Sequence, residues 1–424
     1  MPRYIIIILL ISFFIVFVTI KLQPTPQSTL PSNSIVAPID NQNNIAKTLF
    51  KESSLMWRIQ NKHQQTSKQL TSLTETIGSG ICTFDINQDG WMDLFFIGGS
   101  GHTRYYGKKS WWLKNSGNRL LLNMKGKYFS DITDSSGLSK TIWGMGCSVA
   151  DFNNDGLTDL LITAVGENQL YKNQANNTFI NVTKDSGVSG NSWSMSATLG
   201  DYNKDGLLDI YLSNYVDYTK GARTFERTQG FRLTTDIAFD ATLYDPQPNK
   251  LYLNKGDFVF ENVTNQMEVA NPLGRSVGAK WYDINQDSWL DLVVINAQKS
   301  ANQVFINHEG KKFTRGEALY APLEVSSSHD FIINDFNNNL QDEFFISRSM
   351  GLPPIFLKNS NATEDDKKQT FKDDAWNNGL AQAKLLSNNS WATIAADFNN
   401  DSYLDIFIAN GISAPDIDAP FMSQ

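Results

Sequence analysis

Residues 151–159 read Asp-Phe-Asn-Asn-Asp-Gly-Leu-Thr-Asp, and the run that follows, Leu-Leu-Ile-Thr-Ala-Val at 160–165, is apolar and rich in strand formers. Side-chain oxygens at alternate positions of so short a loop converge, and a glycine in sixth place permits the positive φ that turns the chain back. Five related stretches begin at Asp85 (DINQDGWMD), Asp201 (DYNKDGLLD), Asp283 (DINQDSWLD), Asp335 (DFNNNLQDE) and Asp397 (DFNNDSYLD). Each follows a strand-like run of small and apolar residues and precedes another apolar run. Between the loops a second signature recurs, Asn-x-Leu-Tyr-x-Asn and then Phe-x-x-Val-Thr, as NQLYKNQANNTFINVT from Asn168 and NKLYLNKGDFVFENVT from Asn249. Each unit therefore offers four short strands, at intervals of roughly 50 to 80 residues. Tandem four-stranded units are the mark of propeller blades, so we expect an all-β chain folded as a β-propeller. Six repeats favour six blades, and the long interval between the third and fourth loops leaves room for a seventh.

The chemistry of the loop suits calcium, which takes six to eight oxygen ligands in flexible geometry. Asp85, Asn87 and Asp89 would supply oxygens at positions 1, 3 and 5, Trp91 its carbonyl at position 7, and Asp93 would close the sphere at position 9. The same set recurs as Asp151, Asn153, Asp155, Leu157 and Asp159, and as Asp201, Asn203, Asp205, Leu207 and Asp209. It recurs again as Asp283, Asn285, Asp287, Trp289 and Asp291, and as Asp397, Asn399, Asp401, Tyr403 and Asp405. The remaining loop offers Asp335, Asn337, Asn339 and Glu343. No His or Cys lies in any loop, which makes zinc and copper poor fits. An EF-hand would need a bidentate Glu at position 12 between two helices. That place holds Phe96, Ile162 and Leu212 in the first three copies, between β-like runs. The expectation is three to six calcium ions, held most strongly at Asp85, Asp151 and Asp201. Ser288 and Ser402 replace the glycine in two loops, straining the turn. The Asp335 loop, with Asn339 and Leu340 in place of Asp and Gly, is expected to be weak or empty. The competing reading of any one loop is an Asx-turn that holds no metal.

The chain opens Met-Pro-Arg, followed by an almost unbroken apolar run from Tyr4 to Ile20. That run is just long enough to span a bilayer, and no small-x-small cleavage site follows it. We read residues 1–21 as a membrane-anchoring signal helix with its N-terminus in the cytoplasm, which places the remainder in the periplasm or extracellular space. The alternative is secretion after signal cleavage. Residues 22–44, rich in Pro, Ser, Thr, Asn and Gln, read as a disordered stalk, and residues 45–424 as the propeller. Residues 48–55 (TLFKESSL) resemble an outer strand and are expected to complete the final blade. Cys82 lies three residues before its loop and Cys147 four, offsets that point them to opposite strand faces. Two small buried residues is the favoured reading, with a disulfide as the alternative.

A formal charge of −8 argues against a nucleic-acid binder. The four histidines, His63, His102, His308 and His329, form no metal-spaced pair, and no nucleophile elbow or phosphate loop occurs. If the aspartate loops join strands one and two, two long segments project from the opposite face. Residues 99–117 carry His102, Arg104, Tyr105, Tyr106, Lys108, Lys109, Trp111, Trp112 and Lys114; residues 215–248 add Tyr215, Tyr218, Arg223, Phe225, Arg227, Phe231 and Arg232. Trp143 and Trp193 fall near the same rim. Such an aromatic and basic face suits a protein or glycan ligand, unless its aromatics pack within or between blades.

The stretches LTETIGSGICTFDINQDGWMDLFF and WSMSATLGDYNKDGLLDIYLSNYVDY resemble the FG-GAP/VCBS repeats of the integrin α-subunit propeller, and more closely the cartilage acidic protein-like family. The resemblance spans roughly Ser72 to Gly411. It implies a calcium-braced propeller used for adhesion or partner binding, without catalysis by the propeller itself. The ASPIC/UnbV-type domain common in that family does not appear in these residues, and few residues follow the sixth loop where outer strands are expected. Two other functions stay open: a polysaccharide-active lyase or hydrolase on a propeller scaffold, and a scaffold subunit completed by a separate chain.

Overall fold

The computed structural model describes residues 19–20, 53, 56–59, 73, 77, 80–98, 117–139, 142–188, 190–220, 241–316, 320, 322–348, 352–360, 370–381 and 389–411. The fold is all-β, built of antiparallel units that follow the sequence repeat. Unit one comprises Ile81–Phe84, Asp93–Phe96, Arg119–Asn123 and Phe129–Asp131. Unit two comprises Gly144–Ala150, Asp159–Gly166, Gln169–Asn173 and Phe179–Asn181, and unit three Ser192–Gly200, Asp209–Asn214, Lys250–Asn254 and Phe260–Asn262. Unit four runs Ser276–Tyr282, Asp291–Asn296, Gln303–His308 and Lys312–Arg315, and unit five Ser328–Asn334, Glu343–Arg348, Ile355–Ser360 and Thr370–Asp373. Unit six shows Asn389–Ala396 and Asp405–Gly411 among the described residues, with Thr19–Ile20 paired to Ile406–Phe407. In every unit the aspartate loop joins the first and second strands, and the first strands of successive units neighbour one another.

The second strand of each unit is sandwiched by the neighbouring sheets, which is why it reads as a continuous apolar run rather than an alternation. Its two faces feed two different cores. Leu160 and Ile162 pack with Phe84, Phe95, Ile97 and Leu120 of unit one, whereas Leu161 packs with Ile210, Leu212 and Tyr252 of unit three. The same interleaving joins units three and four, four and five, and five and six. The Phe-x-x-Val-Thr signature has a concrete role at the outer edge. The Oγ1 atoms of Thr133, Thr183 and Thr264 accept the N–H groups of Leu120, Leu170 and Leu251 at 2.9, 2.8 and 2.8 Å, which binds the end of the fourth strand to the third.

This face-to-face stacking corrects the reading of the cysteines. Cys82 and Cys147 form a disulfide across units one and two, with Cα atoms 6.1 Å apart, and both are half-buried. The two cysteines do lie on opposite faces of their strands, and that is what the bridge requires. The face of unit one that meets unit two is the reverse of the face unit two returns, so equivalent strands bridge only from opposite faces.

The N-terminal segment packs on unit one. The N–H of Phe129 donates to Trp57 O at 3.0 Å, and Ile59 is buried against Leu94, Phe96, Leu121 and Phe129. Ile59 follows Phe50 by the interval at which Leu138 follows Phe129, Val188 follows Phe179 and Val269 follows Phe260. The residues just before these four, Arg58, Gly137, Gly187 and Glu268, all have positive φ, at 59°, 82°, 86° and 58°. Residues 56–59 therefore cover unit one as the end of each outer segment covers the next unit. The rest of the anticipated outer strand, like residues 1–18 and 21–44, lies outside the described residues. Among the described residues no helix is long and apolar enough to cross a membrane.

Candidate functional site: the aspartate loops

All six loops adopt one turn, built on the first aspartate. One carboxylate oxygen of Asp85 accepts the N–H of Asp89 at 3.1 Å and the other that of Gly90 at 2.7 Å. Asp151, Asp201, Asp283, Asp335 and Asp397 repeat both bonds, at 2.6 to 3.1 Å. The fifth residue then caps the seventh: Asp89 accepts Trp91 N–H at 3.0 Å, Asp155 that of Leu157 at 3.0 Å and Asp287 that of Trp289 at 2.8 Å. The turn needs positive φ at its sixth residue. Gly90, Gly156 and Gly206 adopt 84–85°, and Ser288, Ser402 and Leu340 are forced to 71°, 71° and 65°.

The ninth residue points inward. Asp93, Asp159, Asp209 and Asp291 are fully buried, and each carboxylate ties the loop to the third strand. Asp159 accepts Phe152 N–H at 3.0 Å and Asn173 N–H at 2.9 Å; Asp291 accepts Ile284 N–H at 3.0 Å and Asn307 N–H at 2.7 Å. Burial, then the like charges at positions 5 and 1, push Asp93 and Asp159 up to about 6 and Asp291 to about 7, against the pull of those backbone donors. Asp209 reaches about 7 for the same reasons. Glu343, one methylene longer, keeps the bond to Phe336 N–H at 3.0 Å but also takes the amide of Asn337.

One set of functional residues went unassigned in the sequence although the repeat displays it: the last asparagine of Asn-x-Leu-Tyr-x-Asn. The Asn173 amide donates to Thr158 O at 3.0 Å within its own unit and to Ile86 O of the preceding loop at 3.1 Å. Asn254 bridges Leu208 O and Phe152 O, and Asn307 bridges Leu290 O and Tyr202 O, in the same way. A second chain runs along the rim, where Gln88 donates to Gly156 O, Asn154 to Gly206 O at 3.1 Å and Asn338 to Ser402 O at 2.8 Å. Adjacent loops are thus hydrogen-bonded to one another.

Charge on this rim is largely uncompensated. Lys172 pairs with Asp155 at 3.0 Å; burial alone would raise Asp155, but the Asn153 amide and this ammonium hold it below the usual carboxylate range. Asp85, Asp89 and Asp93 have no ion-pair partner among the described residues, and neither do Asp201, Asp205 and Asp209 or Asp283, Asp287 and Asp291. The amides of Asn87, Asn153, Asn203 and Asn285 turn their nitrogens to the fifth-position carboxylate, at 3.4, 3.0, 2.8 and 3.0 Å. Among the described residues no group of three or more His, Cys, Asp or Glu side chains is arranged to hold a metal. A cation at these loops would have to draw on the Asn oxygens and backbone carbonyls as well, with the amides rotated.

The expected partner-binding face fares differently. Trp143, Trp193 and Tyr215 are buried, packed with Leu73, Ile77, Val216 and Tyr244, and Tyr218 lies edge-on to Trp193 at 5.9 Å. Trp143, Trp193 and Tyr215 form a core and are not available to a ligand, and Tyr218 is half-buried at its edge. His102, Arg104, Tyr105, Tyr106, Lys108, Lys109, Trp111, Trp112, Lys114, Arg223, Phe225, Arg227, Phe231 and Arg232 lie outside the described residues.

Residues 85–162 and 151–212 match the model of the FG-GAP-like repeat, so the chain carries these repeats across its first three loops. No curated protein matches it significantly. Among solved structures it is similar to the V. cholerae biofilm matrix protein Bap1, at 12% identity and a TM-score of 0.38, over 76% of this chain and 42% of that one. It is also similar to an Agrocybe aegerita lectin that recognises non-reducing terminal N-acetylglucosamine, at 14% identity and a TM-score of 0.31, over 70% and 79% of the two chains. BBS1N, solved in complex with ARL6DN, gives 10% identity and a TM-score of 0.34 over 78% of each chain. The chain spans less than half of the biofilm protein's length, and likenesses this loose carry no function across.

Proposed function

We propose that this protein is a six-bladed, calcium-braced propeller that acts as a binding module outside the cytoplasm. The observation that carries the proposal is the set of loops at Asp85, Asp201 and Asp283, each placing three aspartates within nine residues with no ion-pair partner among the described residues. Like charges at such range disfavour ionisation unless a cation joins them, and oxygen-only donors select calcium. Bound there, calcium supplies charge neutralisation; the chain's own residues do the positioning through Asn173, Asn254 and Asn307, which lock each loop to the one before. Calcium binding is then coupled to the stability of the ring.

The packing of residues 56–59 on unit one supports closure of the ring by the N-terminal outer segment. The disulfide, which persists in oxidising compartments, supports export, whereas the pairing of Thr19–Ile20 with unit six does not suit an anchor helix over residues 1–21. A ligand-binding role, for a protein or glycan on the face opposite the loops, rests on residues 99–117 and 221–240. A glycoside hydrolase would need two carboxylates flanking the scissile bond. In the cavity between the first strands of units three to five, Asp330 is the sole lining carboxylate among the described residues.

The test is thermal unfolding of the full chain with excess calcium and with chelator, together with the metal content of the purified protein. Several calcium ions per chain and a large fall in Tm on chelation are expected. No bound calcium and an unchanged melt would reduce the loops to hydrogen-bonded turns.

A further inference from the structure

The position on the third strand just before its last asparagine is held by Leu122, Lys172, Leu253, Ile306 and Lys358 in units one to five. In units one, three and four, whose loop aspartates have no ion-pair partner among the described residues, it is aliphatic. Unit two is the exception. Its loop has the same donors, Asp151, Asn153, Asp155 and Asp159, yet Lys172 reaches over it and pairs with Asp155 Oδ2 at 3.0 Å. In unit five the equivalent Lys358 pairs instead with Asp374, just beyond the fourth strand.

The Lys172 ammonium is held from two sides. Asp155 Oδ2 also accepts the Asn153 amide at 3.0 Å, and Asp155 Oδ1 accepts Leu157 N–H at 3.0 Å, which fixes the carboxylate. On the other side the ammonium lies 5.5 Å from the ring centroid of Phe258, which comes from the outer hairpin of unit three. Phe258 is buried with φ at 61°, next to Asp257 at 48°, a conformation that a bulky residue adopts only where its surroundings impose it. Lys204, in the loop of unit three, does not repeat the contact, since its ammonium lies over the Trp289 ring at 4.1 Å. Three aspartates give each of these loops a formal charge of −3, and Lys172 reduces that of unit two to −2. It also occupies a carboxylate oxygen that calcium would use.

We propose that Lys172 is an internal counter-cation, which gives the loop at Asp151 a lower calcium affinity than the loops at Asp85, Asp201 and Asp283 and keeps it in shape when calcium is withdrawn. The inference rests on the calcium-braced reading of the loops and adds an order of filling to it. Calcium entering at Asp151 must displace the ammonium or share Asp155 with it, and two cations on one carboxylate repel each other. The other three loops gain charge neutralisation without that cost. The loop at Asp151 therefore fills last of the four and depends least on calcium for its fold.

The calcium content of the full chain, equilibrated against buffers of stepped free calcium, tests it on the wild type, Lys172→Leu and Lys172→Arg. A part-exposed ion pair is worth up to about fivefold in an equilibrium constant. The wild type should show a weak class of site, and in Lys172→Leu that class should tighten about fivefold with the number of ions unchanged. Lys172→Arg, which keeps the charge, should retain the weak class. At low free calcium Lys172→Leu should melt below the wild type, and excess calcium should close the gap. Unchanged affinities in Lys172→Leu, or equal tightening in Lys172→Arg, would overturn the inference and leave the calcium-braced loops standing. No bound calcium in any of the three proteins would overturn the calcium reading, and this inference with it.

Discussion

Units one to three and units four to six build the same turn from different sequences. The first half has glycine at the sixth loop position throughout and contains both stretches that match the FG-GAP-like repeat. It also contains the disulfide. The second half puts serine, leucine and serine where glycine belongs, and one of its loops ends in Glu343. Yet Ser288, Leu340 and Ser402 reach the left-handed region all the same. The first aspartate still collects its two N–H groups, and the ninth residue still caps the second. The lesson is that carboxylate-to-backbone bonds carry the turn, and the glycine relieves strain without deciding the shape. What the halves should differ in is how firmly they hold a cation.

The largest effect should come from chelation. If three loops each bind calcium at about 100 times Kd, the ions add about 8 kcal/mol, and their removal lowers Tm by at least about 10 °C by calorimetry. Cys82→Ser with Cys147→Ser should cost the first half about 4 kcal/mol, since the bond closes a span with a sequence separation of 65. Chemical denaturation with and without reductant measures it, and an unchanged midpoint would mean the disulfide constrains nothing. Asp89→Asn should remove one calcium from the stoichiometry, whereas Asn339→Ala should remove none. Equal losses by metal analysis would erase the distinction between the halves. Ser288→Gly should stabilise by about 1 kcal/mol, because a left-handed residue with a Cβ carries about that penalty. A rise in Tm of about 2 °C would register it.

The loops, their order and the four strands of each unit were legible because they depend on local patterns. Aspartates at fixed spacing favour a tight turn, and apolar runs of four to six residues, bounded by turn residues and too short for a helix, favour strands. The reach of Phe-x-x-Val-Thr was visible as a repeat, but not the hydroxyl of Thr183 accepting Leu170 N–H. For Trp143, Trp193 and Tyr215 the packing alternative holds. Regular spacing from the loop put them on one rim, and nothing local told whether that rim is covered. Burial there depends on Leu73, Ile77, Ala241 and Tyr244, which arrive from distant points of the chain.

The sequence by itself determined the class of fold, through the tandem recurrence of one unit, and the position and oxygen donors of each aspartate loop, which lie within nine positions of one another. Tertiary structure alone decided which cysteine faces which and that Asn173 reaches back to Ile86. These are contacts between units, and they depend on the sense in which successive sheets stack, a quantity that no single repeat encodes.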